Sequence, residues 1–144
     1  MNRPDFESLS SLPLLAALVA GEAIGEPWLG KLGVAYSPIN RAIRRKTTVR
    51  EEILRHTTRK DGRVIWQYSC FGDPNRWGDM QDRAGRNLAN ECVRAAASAI
   101  LAIDLDPTHG ATHYYNPSIV TPNWATSLVE TAMIGGHRFM KEKG

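Results

Sequence analysis

Cysteine and long apolar runs are both scarce in this sequence of 144 residues. Its two cysteines, Cys70 and Cys92, are too few for a disulfide framework, and no Cys-x-x-Cys pair occurs. A pair of buried or half-buried thiols is expected, and a single bridge between them is left open. The longest apolar run, residues 12–20, is far too short to span a bilayer. We therefore expect no stable membrane insertion.

Signals for export and for division into several domains are also missing. The apolar run lacks the basic flank and the cleavage site of a secretory signal, so synthesis in the cytoplasm is expected. No internal repeat, low-complexity stretch or dividing linker is visible. With 42% apolar and 23% charged residues, the composition is that of an ordinary globular protein. Residues 1–144 are predicted to form one domain around a single core, and a monomer is expected.

Positive charge is concentrated in residues 41–63. This segment holds nine Lys or Arg against three Asp or Glu, a formal charge of +6, which leaves the rest of the chain at −3. A basic surface of this kind suits an anionic polymer such as nucleic acid, teichoic acid or the carboxylates of peptidoglycan. A solvated face without a specific partner is the alternative.

Apolar spacing and turn residues predict a mostly helical α+β fold with a few short β-strands. Helices are expected from Ser10 or Ser11 to about Ile24, from Pro27 to about Ile39, and over 48–56, 80–103 and 123–134. Pro38 should kink or shorten the second helix, and Thr48 should cap the third. The fourth should bury an alanine-rich stripe that includes Leu88, Cys92, Ala95, Ala96, Ala99 and Ile103. Extended segments are expected around 65–68, 112–115 and 136–140.

The segment GEAIGEP, residues 21–27, holds two glutamates four positions apart. Gly25 suits the left-handed position that ends a helix, and Pro27 disfavours helical geometry at Glu26. Glu22 therefore falls in the last turn of the first helix, where the helix dipole and apolar neighbours both raise the pKa of its carboxyl. A glutamic acid that stays protonated near neutral pH can donate a proton to a leaving oxygen. Glu22 is thus a candidate general acid/base, and a purely structural helix-end residue is the alternative.

Glu26 lies beyond the helix break and should not share a helix face with Glu22. Its expected role is structural, since a carboxylate at this point can cap the free N–H groups of the second helix. The two glutamates are therefore not expected to act as a catalytic pair.

Five short motifs occur in the order in which a known protein family carries them. They are Gly21 to Pro27, Asn40-Arg41, Gln67-Tyr68-Ser69, Gly110 to Pro117 and Gly136 to Phe139. Each motif alone is weak, whereas five in order over roughly residues 12–140 are strong. On these residues the chain resembles the cell-wall hydrolase family of the spore-cortex-lytic enzymes.

The resemblance implies a lysozyme-like α+β catalytic domain that cleaves the glycan strands of peptidoglycan, with no cofactor expected. It implies that Glu22 is the acid/base and that the chemistry is that of a lytic transglycosylase. Glu22 would protonate the oxygen between N-acetylmuramic acid and N-acetylglucosamine. It would then take the proton of the muramoyl C6 hydroxyl, which closes onto C1 as a 1,6-anhydro sugar. That route needs neither water nor the second carboxylate of ordinary glycosidases.

The sequence departs from the family pattern at two positions. Ile24 stands where a basic residue is common, and Pro38 stands where an aliphatic residue is usual. Bacterial members of the family are usually exported, and this chain shows no signal. A phage origin, with the enzyme released through a holin or carried in a virion, is one hypothesis that reconciles these two observations, and a bacterial origin stays open.

Six further residues are expected to contact the sugar chain: Gln67, Tyr68, Ser69, His113, Tyr114 and Tyr115. Gln67 and Ser69 share one face of the predicted strand, where they can hydrogen-bond sugar amides. The tyrosines can stack on sugar rings, with Trp124 a weaker candidate, although aromatic side chains also serve as core. Asn40, Arg41 and His137 are expected to be structural.

A metal site is not expected, although Asp104, Asp106, His109 and His113 lie close together in sequence. His109 and His113 have helical spacing, but Pro107 and Gly110 make a continuous helix there unfavourable. The spacing therefore does not indicate metal ligation.

Two rival functions remain open from the sequence. One is a Cys/His peptidase that acts on the peptides of peptidoglycan through Cys70, paired with His109, His113 or His137. The other is a non-enzymatic module that binds an anionic polymer through residues 41–63. This segment has no recognisable nucleic-acid motif, and the aromatics lie elsewhere, so no nucleic acid is expected as a partner.

Overall fold

The structure, a computed structural model, describes residues 2–82 and 90–143. Within them the chain forms the helices α1 (Ser11–Ala23), α2 (Trp28–Arg45), α3 (Val49–Ile53), α4 (Pro74–Asp82) and α5 (Glu91–Ile100). The strands are β1 (His56–Thr58), β2 (Val64–Trp66), β3 (His113–Tyr115), β4 (Leu128–Ile134) and β5 (His137–Glu142). Short 3-10 helices cover Phe6–Ser8, Ser69–Gly72 and Asn123–Thr126. The predicted α+β fold is confirmed, and none of the described helices is long and apolar enough to cross a membrane.

The strands form two small antiparallel sheets. β1 and β2 make an isolated hairpin, while β5 lies between β3 and β4 in a three-stranded sheet. In that sheet Tyr114 lies opposite Phe139, and Ile134 lies opposite His137. The extended segments predicted around 112–115 and 136–140 are therefore confirmed as β3 and β5.

α1 forms the centre of the core. Its residues from Leu14 to Gly21 are all buried, and α2, α3, α4 and α5 pack around it. A helix that is apolar on almost every side fits such a central position better than a surface. Glu22 is the only charged residue in α1, and it lies where the helix emerges from the core.

The end of α1 differs from the prediction at Gly25, which does not adopt the left-handed conformation. Ile24 keeps right-handed helical angles, with φ −58° and ψ −35°. The Glu26 N–H then donates to the Ala23 carbonyl at 3.0 Å, so the chain leaves the helix through a tight turn. Because this turn already satisfies a terminal carbonyl, no left-handed glycine is needed.

Pro38 does not end α2, so the predicted early end is wrong. The helix runs for 18 residues from Trp28 to Arg45 and ends with Lys46 in the left-handed conformation, φ 58°. A proline at position 38 cannot donate to the carbonyl of Val34 four residues earlier. The Ser37 hydroxyl donates to that carbonyl instead, at 2.8 Å, which replaces the missing bond.

α3 begins as predicted, with Thr48 as its N-cap. The Thr48 side chain accepts a hydrogen bond from the Glu51 N–H at 3.1 Å, which satisfies one of the free donors of the first turn.

The single helix predicted over 80–103 is wrong, and residues 83–89 with Leu88 lie outside the described residues. α5 begins only at Glu91, because Asn90 is extended and its side chain caps the Cys92 N–H at 2.8 Å. It ends at Ile100, and Ala102 has a positive φ of 53°. Cys92, Ala95, Ala96 and Ala99 are buried as predicted, whereas Ile103 is 69% exposed.

The helix predicted over 123–134 is also wrong. A short 3-10 helix covers Asn123–Thr126, and β4 follows it. β4 pairs with β5 through the two-residue loop Gly135–Gly136, with Gly135 at φ +56°. Two glycines between apolar runs are a recognised hairpin signal, and this signal decides the structure there.

Candidate active site

A cleft of about 630 Å³ opens where the end of α1 faces β3 and the loop that follows β3. Its walls are formed by Arg41, Arg76, His137 and parts of the segments 22–26, 67–69 and 112–124. The cleft brings together every residue predicted for catalysis or sugar binding: Glu22, Gln67, Tyr68, Ser69, His113, Tyr114 and Tyr115.

The Glu22 carboxyl lies in the wall of this cleft, and burial raises its pKa above the ordinary value. The negative charge of Asp73 acts in the same direction. The backbone N–H and the thiol of Cys70, together with the positive charge of Arg76, oppose the rise. Because burial is the largest effect, the protonated form of Glu22 persists to higher pH than in a solvated glutamate.

Gly21 allows α1 to approach the segment that holds Cys70. A Cβ at position 21 would lie 2.7 Å from both Cβ and Sγ of Cys70 and 2.8 Å from Sδ of Met80. These distances are too short for any side chain. Arg76 donates to the Gly21 carbonyl and so fixes the turn from which Glu22 projects.

Glu26 does not cap α2, contrary to the prediction. The N-cap position of α2 is Pro27, which provides no side-chain hydrogen bond. Glu26 instead accepts a hydrogen bond from the Gly136 N–H at 2.9 Å, and its Oε1 lies 3.0 Å from Nδ1 of His137. A Cβ at Gly135 would come within 2.9 Å of the same oxygen. Glu26 and His137 therefore join the turn after α1 to the β4–β5 loop.

Gln67 and Ser69 do not share a strand face, because β2 ends at Trp66 and a 3-10 helix begins at Ser69. Both side chains are nevertheless exposed and line the cleft. The chain changes direction at Tyr68, which is buried, and this change brings the two flanking polar residues to the cleft wall.

Tyr68 and Tyr114 form the aromatic floor between Glu22 and Arg41. The Tyr68 hydroxyl bonds the Ser37 hydroxyl at 2.9 Å, and burial raises the pKa of Tyr68 to about 12. The Tyr114 hydroxyl is buried without a hydrogen-bond partner among the described residues. Burial and the nearby Glu22 carboxylate raise the pKa of Tyr114 well above its usual range, so both phenols stay protonated.

The outer wall of the cleft is formed by Tyr115 and Trp124, whose ring centroids lie 5.6 Å apart in an edge-to-face arrangement. The Tyr115 hydroxyl accepts a hydrogen bond from Arg138 at 3.1 Å. Trp124 also lies 5.0 Å from the His113 ring. Trp124, weighed as a weaker candidate, is thus part of the same aromatic wall as Tyr115.

Arg41, Gln67 and His113 form a polar network at the base of the cleft. Nη2 of Arg41 lies 3.0 Å from Nε2 of His113. With its amide oxygen turned toward Arg41, Gln67 accepts from Nη1 and Nη2 at 2.9 and 3.2 Å. Because a guanidinium only donates, Nε2 of His113 is the acceptor, and its Nδ1–H points to the Thr112 hydroxyl at 2.9 Å. Burial and the Arg41 charge lower the pKa of His113 to about 4.

Asn40 lies outside the cleft and fastens α2 to the loop that precedes β3. Its Nδ2 donates to the Asp106 carboxylate at 2.8 Å and to the Ala111 carbonyl at 2.9 Å. Asp106 also accepts from Thr108 and from the Gly110 N–H. Its carboxylate is therefore committed to the loop, and within residues 2–82 and 90–143 no three His, Cys, Asp or Glu side chains form a group that could hold a metal ion.

The two thiols do not form a bridge, since Cys70 and Cys92 are both free and buried. Burial and the neighbouring Glu22 carboxylate raise the pKa of the Cys70 thiol well above its usual range. Nucleophilic cysteines need the opposite, an electropositive site that stabilises the thiolate. The geometry therefore disfavours a peptidase that uses Cys70.

Much of the basic segment 41–63 is occupied by contacts within the protein. Arg45 and Arg55 lie 3.4 and 2.6 Å from the buried Glu52 carboxylate. Arg50 donates to two backbone carbonyls, and Arg44 pairs with a carboxylate of β5. These contacts reduce the basic surface that a nucleic acid could use.

The family model for cell wall hydrolases matches residues 25–140 of this chain. The chain belongs to the cell wall hydrolase family. The match begins three residues after Glu22 and includes the remaining cleft-lining segments. The family expected from the five sequence motifs is thus confirmed.

Curated proteins that resemble this chain include spore cortex-lytic enzymes. The chain is 28% identical over 144 residues to that of Oceanobacillus iheyensis, which covers 98% of this chain and 45% of the relative. It is 30% identical over 138 residues to that of Halalkalibacterium halodurans, with 96% and 37% covered. The chain thus spans less than half the length of these relatives.

Two solved structures have a similar fold. The catalytic domain of the Bacillus cereus SleB protein has a TM-score of 0.61 at 25% identity, with 96% of this chain and 94% of that chain covered. The catalytic domain of the germination-specific lytic transglycosylase SleB from Bacillus anthracis has a TM-score of 0.61 at 26% identity, with 96% and 99% covered. The likeness therefore extends over nearly the whole of both catalytic domains.

Sequence reasoning missed Arg76 and the apolar rim of the cleft, Ile119 and Val120. Arg76 is 55 residues from its partner Gly21, so no local spacing could connect them. Ile119 and Val120 are 80% and 52% exposed. Two neighbouring exposed aliphatic residues beside a predicted sugar-binding motif are the one signal that could have identified this rim.

Proposed function

We propose that this cell wall hydrolase cleaves the glycan strand of peptidoglycan between N-acetylmuramic acid and N-acetylglucosamine, with Glu22 as general acid/base. The relatives' names and the family support the class of substrate. The observation that carries the assignment to Glu22 is its position in the cleft wall, where burial raises the pKa of its carboxyl.

The number of available carboxyl groups supports lytic transglycosylase chemistry. Among the described residues that line the cleft, the acids are Glu22 and Glu26. Glu26 accepts from the Gly136 N–H and lies 3.0 Å from Nδ1 of His137, which ties it to the β4–β5 loop. Glu22 is therefore the one candidate acid among them. Ordinary glycosidases use two carboxyl groups, whereas an intramolecular closure by the sugar's own hydroxyl needs one.

The proposed reaction returns Glu22 to its starting state. The Glu22 carboxylic acid gives its proton to the glycosidic oxygen as the C1–O bond of the muramoyl residue breaks. The Glu22 carboxylate then takes the proton of the C6 hydroxyl of that residue, and the C6 oxygen bonds to C1. A 1,6-anhydromuramoyl end forms, the other strand leaves with a free hydroxyl, and no water is consumed.

The side chains around Glu22 are suited to hold the two sugars. The exposed Gln67 and Ser69 can bond the acetamido and hydroxyl groups, and the aromatic wall of Tyr115 and Trp124 can pack against a sugar ring. The protonated Tyr114 hydroxyl lacks a partner among the described residues, so it is available to a group of the substrate beside Glu22.

The test compares Glu22→Gln with the wild type on purified sacculi. Glu22→Gln keeps the shape of the side chain but cannot transfer a proton, so clearing of the suspension should fall by at least about a hundredfold. Glu51→Gln is the matched control, because Glu51 is exposed on α3. Full activity of Glu22→Gln would refute the assignment.

Mass spectrometry of the digest separates the possible reactions. Anhydromuramoyl ends are expected, lighter by one water than the reducing ends of a hydrolase. Reducing ends would keep Glu22 as the acid but overturn the transglycosylase step. New amino termini would instead indicate a peptidase.

A further inference from the structure

Arg41 is a buried cation without an acidic partner within residues 2–82 and 90–143. It is 2% exposed, although it forms part of the cleft wall. All 15 Asp and Glu residues of the chain lie in the described ranges, and no ion pair among those residues includes Arg41. Charged side chains buried to this degree are usually paired, because the loss of hydration is costly.

The partners that Arg41 does have are neutral and leave part of its guanidinium free. They are His113, with Nε2 as acceptor, the amide oxygen of Gln67, and Tyr68, through its hydroxyl and through its ring face at 6.0 Å. The Nε–H of Arg41 has no partner among the described residues. The acid whose charge acts on His113 is Glu142, and Glu142 is already paired with Arg44 at 2.8 Å.

Gln67 reaches the guanidinium from the solvent side. Its amide oxygen lies 2.9 and 3.2 Å from Nη1 and Nη2 of Arg41, which is the fork that a carboxylate occupies in a bidentate pair. Gln67 itself is exposed. A rotation of this side chain toward solvent would therefore open the Arg41 fork to a ligand in the cleft.

We propose that Arg41 is the anchor of a carboxylate-binding subsite that recognises a carboxylate on a muramoyl residue, with Gln67 as the neutral group that this carboxylate displaces. The proposal rests on the proposed function for its class of substrate. The muramoyl residue is the sugar of peptidoglycan that bears a carboxyl group, on its lactyl ether or on the peptide attached there. Trp124 lies beside His113 at 5.0 Å and would pack against the same sugar.

The test is an NMR titration of the wild-type protein with single sugars, which have no bond for the enzyme to cleave. N-acetylmuramic acid should bind about tenfold more tightly than N-acetylglucosamine, and the difference should shrink as salt is raised. N-acetylmuramoyl-L-alanyl-D-glutamate, whose lactyl group is an amide, locates the carboxylate. If N-acetylmuramic acid binds more tightly than this muramoyl dipeptide, the recognised carboxylate is that of the lactyl ether. If the muramoyl dipeptide binds equally or more tightly, the recognised carboxylate is on the peptide.

Substitutions at the exposed Gln67 test the subsite without disturbing a buried residue. Gln67→Glu places a carboxylate on the Arg41 fork, so it should abolish the preference for N-acetylmuramic acid and raise Tm by about 2–4 °C. Gln67→Ala removes the group that occupies the Arg41 fork, so the ratio of the two affinities should shift a few-fold further toward N-acetylmuramic acid. Arg63→Gln, which removes an exposed positive charge on the β1–β2 hairpin, is the control. It should change neither the preference for N-acetylmuramic acid nor Tm.

Equal binding of the two N-acetyl sugars would overturn the proposal, as would an unchanged preference in Gln67→Glu. Either result leaves the proposed function intact, because product analysis of digested sacculi decides that separately. Conversely, a peptidase product profile would refute the proposed function and leave the measured sugar preference unaltered.

Discussion

The carboxylate of Glu26 accepts a hydrogen bond at 2.9 Å from the N–H of Gly136, 110 residues later in the chain. Replacement by alanine leaves this half-buried N–H unpaired, so Glu26→Ala should lower the free energy of unfolding by about 1–2 kcal/mol. Glu26→Gln retains an acceptor oxygen, so its free energy of unfolding should fall by less than that of Glu26→Ala. Urea denaturation measures both, with Glu51→Ala as an exposed control that should stay within about 0.5 kcal/mol of wild type.

Gly21→Ala should destabilise the protein by about 1–3 kcal/mol, because the new Cβ would overlap Cys70 and Met80. Gly25→Ala is the matched control, since a Cβ there meets nothing within 4 Å. Thermal unfolding should show a lower Tm for Gly21→Ala alone. Equal Tm values for the two variants would contradict the close packing described for α1 and Cys70.

The raised pKa of Glu22 makes stability depend on pH. The unfolded chain releases the Glu22 proton near the ordinary carboxyl pKa, while the folded protein retains it to higher pH. The stability of the wild type should therefore fall as pH rises through the raised pKa. Glu22→Gln lacks this loss, so its advantage in denaturation experiments should grow from acidic to neutral pH. A constant difference between the two proteins would refute the shift.

Activity should follow the same titration. In the proposed reaction Glu22 starts in its protonated form, so the rate should decline as pH rises through its pKa in the enzyme. Initial rates on sacculi across pH measure this limb. Cys70 and Arg76 both lower the pKa of Glu22 and so oppose the effect of burial. Arg76→Gln should therefore raise this pKa and move the decline in rate to higher pH.

His113 should remain neutral through the physiological range, because burial and Arg41 lower its pKa to about 4. The unfolded chain takes up a proton below about pH 6.5, while the folded one does not, so this residue should reduce stability as pH falls from that value to about 4. Nitrogen-15 NMR of the imidazole should show the Nδ1–H tautomer at pH 6. A doubly protonated ring at that pH would contradict the proposed network with Arg41.

The Cys70 thiol should be slow to react in the folded protein. It is 2% exposed, and its pKa is raised, so little thiolate is present at neutral pH. Iodoacetamide should leave activity on sacculi unchanged until the protein is unfolded, when both cysteines become alkylated. Rapid loss of activity in the native state would revive a cysteine mechanism.

Apolar spacing and capping residues correctly predicted the helices whose ends are determined by residues close in sequence. Thr48 caps α3 as expected, and the apolar spacing located α1. α2 continues past Pro38 because the hydroxyl of the preceding residue, Ser37, donates to the Val34 carbonyl that the proline leaves without a backbone donor. Helix propensities include the cost of a proline, but they do not account for a side-chain hydrogen bond that replaces the lost backbone bond.

Contacts between distant segments explain the errors at the site itself. Glu26 was expected to cap its own helix, but its partner is a loop that only the β4–β5 hairpin brings near. The absence of an acidic partner for Arg41 among the described residues depends on where acids from distant segments lie, which no local pattern contains. Gln67 and Ser69 reached the predicted cleft by a bend at Tyr68 and not by strand alternation.

The wall opposite Glu22 comes from β3, from the loop after it and from His137, while Glu22 itself lies in the first sixth of the chain. During synthesis α1 emerges long before the hairpin that receives Glu26. A ribosome-bound chain stopped before residue 136 would therefore carry the acid but no enclosed site. The cleft is thus complete only once β5 has paired with β3 and β4, and a nascent chain that ends before residue 136 has no enclosed site.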